Sequence, residues 1–328
     1  MAMTTRMTAS VVEDAPDQME RLARLVEGVT TLVPQSCPVV YLDYPVHLNV
    51  GDMLIEAGTD CFFDQFAYDV VDRRSVYDFG SWSRNRVTPE TTLVLHGGGN
   101  FGDLYGLHQT FRENVVAAFP NNRIVMLPQT VHFDSPANLA KSAQALARHK
   151  NLHLCLRDVP SLEIVHRHFD NPAYLIPDMA HLLWRPLAPE RAKAPGRNTL
   201  IFAREDKESR PLSVPGEEPA RASVDWDHLV GFQEKAAFYT LIKLHQKRGT
   251  LGGRFSLHPA WRLFRNRLIA KGVRFLGGYD RIVTNRLHMG LLGLLLGRQV
   301  TMADNTYGKL SNYHSAWLSD LPDVRFFS

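Results

Sequence analysis

Short apolar runs alternate with helical patterns through the first half of the chain. The segments with an apolar centre are PVVYLDY (38–44), TTLVLHGGGN (91–100), RIVMLPQT (123–130), HLCLRD (153–158) and AYLIPD (173–178). Helical patterns precede and separate these runs, at about 17–28, from about residue 53 and at 159–168. Strands that alternate with helices predict a parallel α/β sheet. We expect Pro128 to end the third of these strands.

The second half repeats this arrangement after a Pro-rich, basic stretch at 185–198. Such a composition is typical of a linker, and it divides the chain into a flexible tail (1–20), an N-terminal Rossmann-like domain (21–190) and a C-terminal Rossmann-like domain (191–328). Beyond it the pattern predicts a strand at 199–206, a loop at 207–223 and helices near 227–247 and 259–271. A strand at 274–278, an extended segment at 280–288 and an apolar helix at 289–297 complete the prediction.

The amino-acid composition indicates the class of protein but does not indicate its function. The 328 residues are 45% hydrophobic and 22% charged, with a formal net charge of +3, which indicates a globular chain and gives no case for nucleic acid binding. Three scattered cysteines fit neither a disulfide framework nor a zinc motif. No apolar run approaches a membrane span, and the first 20 residues lack a signal-peptide core. We therefore expect a cytoplasmic protein.

The strongest local signal is the glycine-rich segment from His96 to Asp103, with Gly98, Gly99 and Asn100 at its centre. Glycines let backbone N–H groups approach a ligand closely, and a helix beginning near Asp103 would direct its positive end to the same point. A tight strand-to-helix turn is the alternative. The segment formally matches GxGxxG, but the next strand ends in Pro-Gln-Thr rather than in an acidic residue, which argues against NAD binding.

Two further segments carry cations. In an extended segment Arg286 and His288 would share one face, just before the apolar helix, and form an anion site at its N-terminus. Arg157 ends a predicted strand and is a second candidate anion ligand, facing Arg286 across a cleft between the domains. The alternatives are structural: a salt bridge for Arg286, a capping role for His288 and an ion pair of Arg157 with Asp158 or Asp178.

In their order along the chain, these segments resemble the polysaccharide pyruvyl transferase family. The matching pieces are Asn49-Val50-Gly51-Asp52, His96 to Asp103, Pro128-Gln129-Thr130, Arg157-Asp158 with Ser161, Asp178, Arg286-Leu287-His288 and the loop 304–309. The resemblance implies a fold like that of GT-B glycosyltransferases, with the active site in the inter-domain cleft. It also implies transfer of pyruvate from phosphoenolpyruvate to a sugar as a ketal, in bacterial exopolysaccharide or cell-wall polymer synthesis. It assigns donor binding to Arg157, Arg286 and His288.

The residue types suit that chemistry. Two cationic anchors match the phosphate and carboxylate of phosphoenolpyruvate, and a histidine can move protons in both directions near neutral pH. His288 is the expected acid/base, and neither a cofactor nor a metal is expected. Gly98, Gly99 and Asn100 are assigned to the donor side. Acceptor or loop roles are left to His96, Asp103, Gln129, His132, Asp52, Asn305 and Lys309, although Asp52 equally suits a helix cap.

Three alternatives remain open. The same fold and cleft would serve a GT-B glycosyltransferase that uses a nucleotide sugar, or a non-catalytic carbohydrate-binding protein. A second open point is whether the saccharide acceptor is free or is linked to a lipid. A basic stretch from Trp261 to Lys271, with Leu263 and Phe264 interleaved, predicts either a peripheral contact with the inner membrane face or a solvated helix face.

Overall fold

The first half of the chain forms a fully parallel sheet. The computed structural model describes residues 18–79, 87–196, 198–203, 224–251, 256–304 and 308–327, so residues 1–17 of the predicted tail (1–20) and the whole predicted loop at 207–223 lie outside it. The strands of this sheet are β1 Val39–Leu42, β2 Val70–Arg74, β3 Thr92–Leu95, β4 Gly98–Gly102, β5 Ile124–His132, β6 Leu152–Leu156 and β7 Ala173–Leu175. Their order is β2-β1-β3-β5-β6-β7, and β4 also pairs with β5.

Five α-helices of the described residues belong to this half. They are α1 Gln18–Glu27, α2 Val50–Gln65, α3 Gly106–Ala118, α4 Pro136–Ala147 and α5 Val159–His168. Of these, α1, α2 and α5 correspond to the helices that the pattern predicts. Asn49, Ser135 and Asp158 cap the N-termini of α2, α4 and α5 by accepting backbone N–H hydrogen bonds. The cap at Asn49 starts α2 three residues earlier than the apolar pattern indicates.

The prediction that Pro128 ends its strand is wrong. Strand β5 continues to His132 because it changes neighbours: its first part pairs with β3, and Gln129, Val131 and His132 pair with β4. Pro128 lies within an irregularity of the ladder between β5 and β6. A proline is tolerated there because no regular ladder hydrogen bond requires its missing N–H.

The second half forms a separate four-stranded parallel sheet of order β11-β10-β9-β8. Its strands are β8 Thr199–Phe202, β9 Arg281–Thr284, β10 Gln299–Ala303 and β11 Val324–Phe327, and its helices are α6 Ala188–Arg191, α7 Trp226–Leu229, α8 Phe232–Leu251, α9 His258–Leu276, α10 Leu287–Leu295 and α11 Lys309–Tyr313. The strand predicted at 274–278 is wrong, because α9 extends to Leu276 and buries Val273 and Leu276. Parallel α/β architecture is confirmed, whereas the domain boundaries stay a prediction.

The two sheets are joined through α2, which belongs to the first half of the chain. Gly58 of α2 packs against the backbone of Met179, and a side chain there would collide with the Met179 carbonyl group. Glu56 and Asp60, also on α2, contact His258 and Arg265 of α9. This packing brings the N-termini of α2 and α10 together.

Within the described part of the chain, none of the helices combines the length and apolarity that crossing a membrane requires.

Candidate active site

Arg157 lies at the carboxyl end of β6, buried among polar partners. Its Nη1 lies 2.6 Å from Oδ2 of Asp178, and its Nε donates to Oγ1 of Thr130 at 2.9 Å. Its carbonyl oxygen accepts a hydrogen bond of 2.7 Å from the indole N–H of Trp317. Of the two predicted partners, Asp178 is therefore the ion-pair partner, and Asp158 caps α5 instead.

Asp178 contacts both Arg157 and His288. Its Oδ2 lies 2.6 Å from Nη1 of Arg157 and 3.3 Å from Nε2 of His288, and its Oδ1 accepts the N–H of Ala180 at 2.9 Å. Burial alone would raise the pKa of Asp178, but the charges and hydrogen bonds of His288 and Arg157 hold it far below its ordinary value. Asp178 is thus a buried carboxylate that binds both the guanidinium of Arg157 and the imidazole of His288. Its position just after β7 was the only sequence signal beyond the resemblance.

Arg286 and His288 do not share a face of an extended segment, so that prediction is wrong. Arg286 is the extended N-cap residue of α10, whereas His288 is the second residue of the helix itself. The helix starts early because Leu287 is buried with the apolar residues that follow it. Arg286 pairs with Asp225 through Nη2, and His288 turns to Asp178. Both side chains still lie at the N-terminus of α10.

The N-terminus of α2 packs directly against His288. A Cβ atom built on Gly51 would lie 2.8 Å from Nδ1 and 3.1 Å from Cβ of His288. Only glycine leaves room here for the imidazole ring. Asn49 fixes the turn by accepting the N–H of Gly51 at 3.0 Å. Two helix N-termini that belong to different halves of the chain therefore meet at His288, and both favour negative charge.

Asp52 follows Gly51 and lies on the same side of α2. Its Oδ2 accepts a hydrogen bond of 2.9 Å from Asn49 and lies 3.4 Å from Nε2 of His47. Burial would raise the pKa of Asp52, but His47, then His288, His96 and Arg157, together lower it. Asn49 is the cap residue of α2, so the alternative of Asp52 as the cap is wrong. His47, which was not singled out in the sequence, is its nearest ionisable neighbour, and burial lowers the pKa of that histidine.

The glycine-rich segment is the short strand β4 rather than a turn. Gly98, at φ 121°, pairs with Gln129, and a Cβ there would lie 3.6 Å from Oδ1 of Asp52. A Cβ on Gly99 would lie 3.1 Å from Nη2 of Arg157. The missing side chains thus let β4 pass close to the Arg157 guanidinium and the Asp52 carboxylate.

His96 and Gln129 are buried at the ends of neighbouring strands. Nδ1 of His96 lies 2.6 Å from the hydroxyl of Tyr41, and Nε2 of Gln129 donates to the carbonyl of His96 at 2.6 Å. Burial lowers the pKa of His96, against the opposing charge of Asp52. Within the described residues, Nε2 of His96 and Oε1 of Gln129 are buried without a hydrogen-bond partner. Such orphaned polar atoms are rare in folded proteins.

Three further candidates hold neighbouring segments in place. Oδ1 of Asn100 accepts a hydrogen bond of 2.8 Å from Arg112. The carboxylate of Asp103 accepts N–H groups of Asp134 and Ser135 at 2.8 and 2.9 Å, at the start of α4. His132 lies 3.0 Å from Asp134. The helix predicted to begin at Asp103 begins at Gly106, after a 3₁₀ turn, because Asp103 binds α4 instead.

The segment after β10 closes the site from the second half of the chain. Asn305 lies outside the described residues, and Lys309 is the first residue of α11. The hydroxyl of Tyr313 accepts the N–H of Asp178 at 3.0 Å and lies 2.8 Å from Nε2 of His181. Tyr313 therefore binds Asp178 and Trp317 binds Arg157, and neither was indicated by the sequence.

Two other clusters of titratable residues lie close to α2 and β1. Nδ1 of His108 lies 2.9 Å from Oδ1 of the buried Asp43. Ligand atoms of Glu56, Asp60 and His258 lie within 4.8 Å of one another, a spacing that could suit a metal ion. Arg265 already pairs with both of these carboxylates, at 3.0 and 2.8 Å. The group is therefore an ion network that fixes α9 to α2.

The chain is similar in sequence to a known protein family and to several of its members. The model of the family described as polysaccharide pyruvyl transferase matches residues 49–307. A Bacillus subtilis (strain 168) protein called "Putative pyruvyl transferase EpsO" is 33% identical over 313 residues, which are 95% of this chain and 95% of that protein. "Pyruvyl transferase 1" of Schizosaccharomyces pombe (strain 972 / ATCC 24843) is 27% identical over 85% of this chain and 69% of its own length.

The fold also has a counterpart among solved structures. A crystal structure of a functionally uncharacterized protein from Klebsiella pneumoniae superposes with a TM-score of 0.58 at 17% identity. The match covers 96% of this chain and 100% of that one. At this identity the likeness concerns the fold alone.

Proposed function

Because the chain belongs to the polysaccharide pyruvyl transferase family, we propose that it transfers pyruvate from phosphoenolpyruvate to a saccharide and closes a ketal across two hydroxyls. The observation that carries the proposal is the meeting of Arg157 and His288 on one oxygen of Asp178. An anion-binding cation and a proton carrier are thereby held side by side. We place the reaction between the two halves of the chain, in bacterial exopolysaccharide or cell-wall polymer synthesis.

The donor needs two cationic anchors. A guanidinium has five N–H donors in a planar fork, and Asp178 and Thr130 engage only Nη1 and Nε of Arg157. Its Nη2 faces β4 at Gly99, on the side where glycine leaves space for a ligand. Arg286, whose guanidinium Asp225 holds at the N-cap of α10, would bind the second anionic group.

His288 would carry the proton of the first step. With Nε2–H donating to Asp178, the lone pair of the neutral ring lies on Nδ1, beside Gly51. The oxygen of the first hydroxyl bonds to C2 of the donor while Nδ1 takes its proton. His288 then passes that proton to C3, which takes it with the electron pair of the C2–C3 double bond and becomes a methyl group. The C2–O bond to phosphate then breaks with its electron pair. The second hydroxyl bonds to C2, and its proton leaves on the phosphate.

The proposed reaction needs no metal or cofactor, because side chains supply both the positive charge and the proton carrier. Phosphoenolpyruvate and diol become ketal and hydrogen phosphate, with atoms and charge in balance. The acceptor would enter past Asp52, which lies next to Gly51 and whose pKa is affected by the charge of His288. Its identity, and whether it is carried on a lipid, are open to experiment.

Thermal denaturation with three donors tests the proposal. Phosphoenolpyruvate, UDP-glucose and GDP-mannose are added separately to the protein, to Arg286→Ala and to Arg167→Ala, a control at an exposed position of α5. A ligand at 100 times its dissociation constant stabilises the fold by about 2.7 kcal/mol. We expect stabilisation by phosphoenolpyruvate that persists in Arg167→Ala and is lost in Arg286→Ala. Stabilisation by a nucleotide sugar in its place would identify a glycosyltransferase and refute the proposal.

A further inference from the structure

Helices α8 and α9 expose an unusual set of apolar side chains. Phe232, Leu263 and Tyr239 are 87%, 76% and 59% exposed, the three highest values for large apolar residues in the described part of the chain. Phe232 and Tyr239 are seven residues apart and so lie on one face of α8. Isolated exposed apolar residues are ordinary, but three on a pair of packed helices form a candidate interaction surface.

The same helices concentrate positive charge. Helix α8 contains four basic residues and α9 contains five, whereas Glu234 is the single acidic residue of the pair. Three of the basic residues of α9, namely Arg262, Arg265 and Lys271, pair with carboxylates, so the other described basic residues provide the charge of the outer faces. Over the whole chain the two signs nearly balance, with 37 basic and 34 acidic residues. Lys235 and Lys243 are exposed at positions three and eleven residues after Phe232, on the face that also carries Tyr239. Arg267 is exposed one helical turn after Leu263.

The opposite faces of both helices are buried, which fixes the orientation of this surface. The rings of Phe238 and Phe264 stack between α8 and α9 with centroids 6.5 Å apart. Trp261 is fully buried and donates its indole N–H to Glu56 of α2. The predicted membrane-facing role of Trp261 and Phe264 is therefore wrong, since both belong to the core. The exposed residues lie on the helix faces turned away from it.

We propose that the outer faces of α8 and α9 bind the surface of an anionic lipid bilayer. Lysine and arginine are attracted to acidic headgroups, and aromatic and leucine side chains enter the boundary between headgroups and acyl chains. An acidic protein or a nucleic acid would match the charge alone, whereas a lipid surface also accommodates Phe232, Tyr239 and Leu263. Binding would keep the enzyme at a membrane through residues of α8 and α9 that are not among those of the candidate active site.

Vesicle sedimentation of the full chain tests this inference without donor or acceptor. Vesicles of phosphatidylcholine alone are compared with vesicles that also contain phosphatidylglycerol, at low and high salt. We expect binding to the anionic vesicles only, weakened by salt because the charges are exposed. The triple variant Phe232→Ser/Tyr239→Ser/Leu263→Ser and the charge variant Lys235→Glu/Lys243→Glu should each weaken binding at least tenfold.

The control is Leu25→Ser/Leu107→Ser, which removes exposed apolar residues from α1 and α3. It should bind anionic vesicles as the unmodified protein does. Equal binding to both kinds of vesicle, no binding to either, or unchanged binding by both test variants would overturn the inference. None of these outcomes affects the proposed pyruvyl transfer, which is measured in the absence of lipid.

Discussion

Arg157 and His288 bind the same carboxylate oxygen, Oδ2 of Asp178, although they belong to different sheets. Arg157 directly follows β6 of the first sheet, and His288 is the second residue of α10, after β9 of the second. Nη1 of Arg157 lies 2.6 Å and Nε2 of His288 lies 3.3 Å from that oxygen. The relative position of the two cations therefore depends on a single buried residue and on the packing of the two halves of the chain.

Replacing Asp178 should damage both folding and donor binding. In Asp178→Asn the buried Arg157 loses its charged partner, and breaking a buried ion pair on one side costs about 3–5 kcal/mol. We expect a lower melting temperature and loss of stabilisation by phosphoenolpyruvate. Asp170→Asn, at an exposed position, is the control. Donor binding that survives in a folded Asp178→Asn protein would show that Asp178 does not position Arg157.

Gly51→Ala tests the contact between α2 and His288. The added methyl carbon would lie 2.8 Å from Nδ1 of His288, so the ring must move. An alanine inside a helix otherwise stabilises it by up to about 1 kcal/mol. We therefore expect phosphate release from phosphoenolpyruvate to fall at least tenfold, with little change in melting temperature. Gly106→Ala, where nothing lies within 4 Å of the added carbon, should keep full turnover.

Acid should destabilise the protein through His181. Burial lowers the pKa of His181 to about 4, with Asp178 opposing the shift and His288 adding to it. The unfolded chain, with a histidine pKa near 6.5, then binds a proton that the folded chain does not. The contribution of His181 is fully present above about pH 6.5 and is lost as the pH falls to 4, by about 3 kcal/mol.

Urea unfolding at neutral and acidic pH measures this loss. We expect His181→Gln to lose less stability than the unmodified protein between about pH 7 and pH 4.5, because glutamine does not titrate. The hydroxyl of Tyr313 keeps a possible hydrogen-bond partner in this variant. The same loss of stability in both proteins would exclude His181 as the acid-sensitive group.

We expect the pKa of His108 to lie above the ordinary value of a histidine. Burial alone would lower this pKa, but the charge and the hydrogen bond of Asp43 outweigh the effect of burial. The stability that this pair contributes is present below about pH 6.5 and is lost as the pH rises through the raised value. In an NMR titration, Asp43→Asn should bring the pKa of His108 below the ordinary histidine value of about 6.5, because burial then acts without the opposing charge of Asp43. An unchanged His108 titration would contradict the role of Asp43.

The sequence predicted elements better than it predicted contacts. Helix α5 begins and ends where expected, at Val159 and His168, because its cap and its apolar period agree. Pro128 and the segment 274–278 were misinterpreted because tertiary context decided them: β5 changes neighbours at the proline, and the core draws Val273 and Leu276 into α9. Neither the change of strand neighbours nor the burial of these two side chains can be deduced from the local sequence pattern.

The same limit applies to the site. Arg157 and His288 could be selected as candidates, since cations at strand ends and helix starts are visible in the sequence. Their shared oxygen on Asp178 could not be deduced, because 110 positions separate Asp178 from His288. Tyr313 ends α11 and Trp317 lies in the helical turn that follows it, a segment without any motif, and only the tertiary structure brings them to Asp178 and Arg157.

The ion network between α2 and α9 should be essential for joining the two halves. Glu56 accepts hydrogen bonds from His258 and Trp261, at 2.9 and 2.8 Å, and pairs with Arg265. Glu56→Gln leaves the buried Arg265 with less compensating charge, so we expect a loss of about 3–5 kcal/mol. Trp261→Phe removes one hydrogen bond to a charged group and keeps most of the packing, so a smaller loss of about 1.5–3 kcal/mol should follow.

Because arginines already neutralise the carboxylates, EDTA should leave the melting temperature unchanged. A decrease with EDTA that zinc reverses would instead assign Glu56, Asp60 and His258 to a metal site.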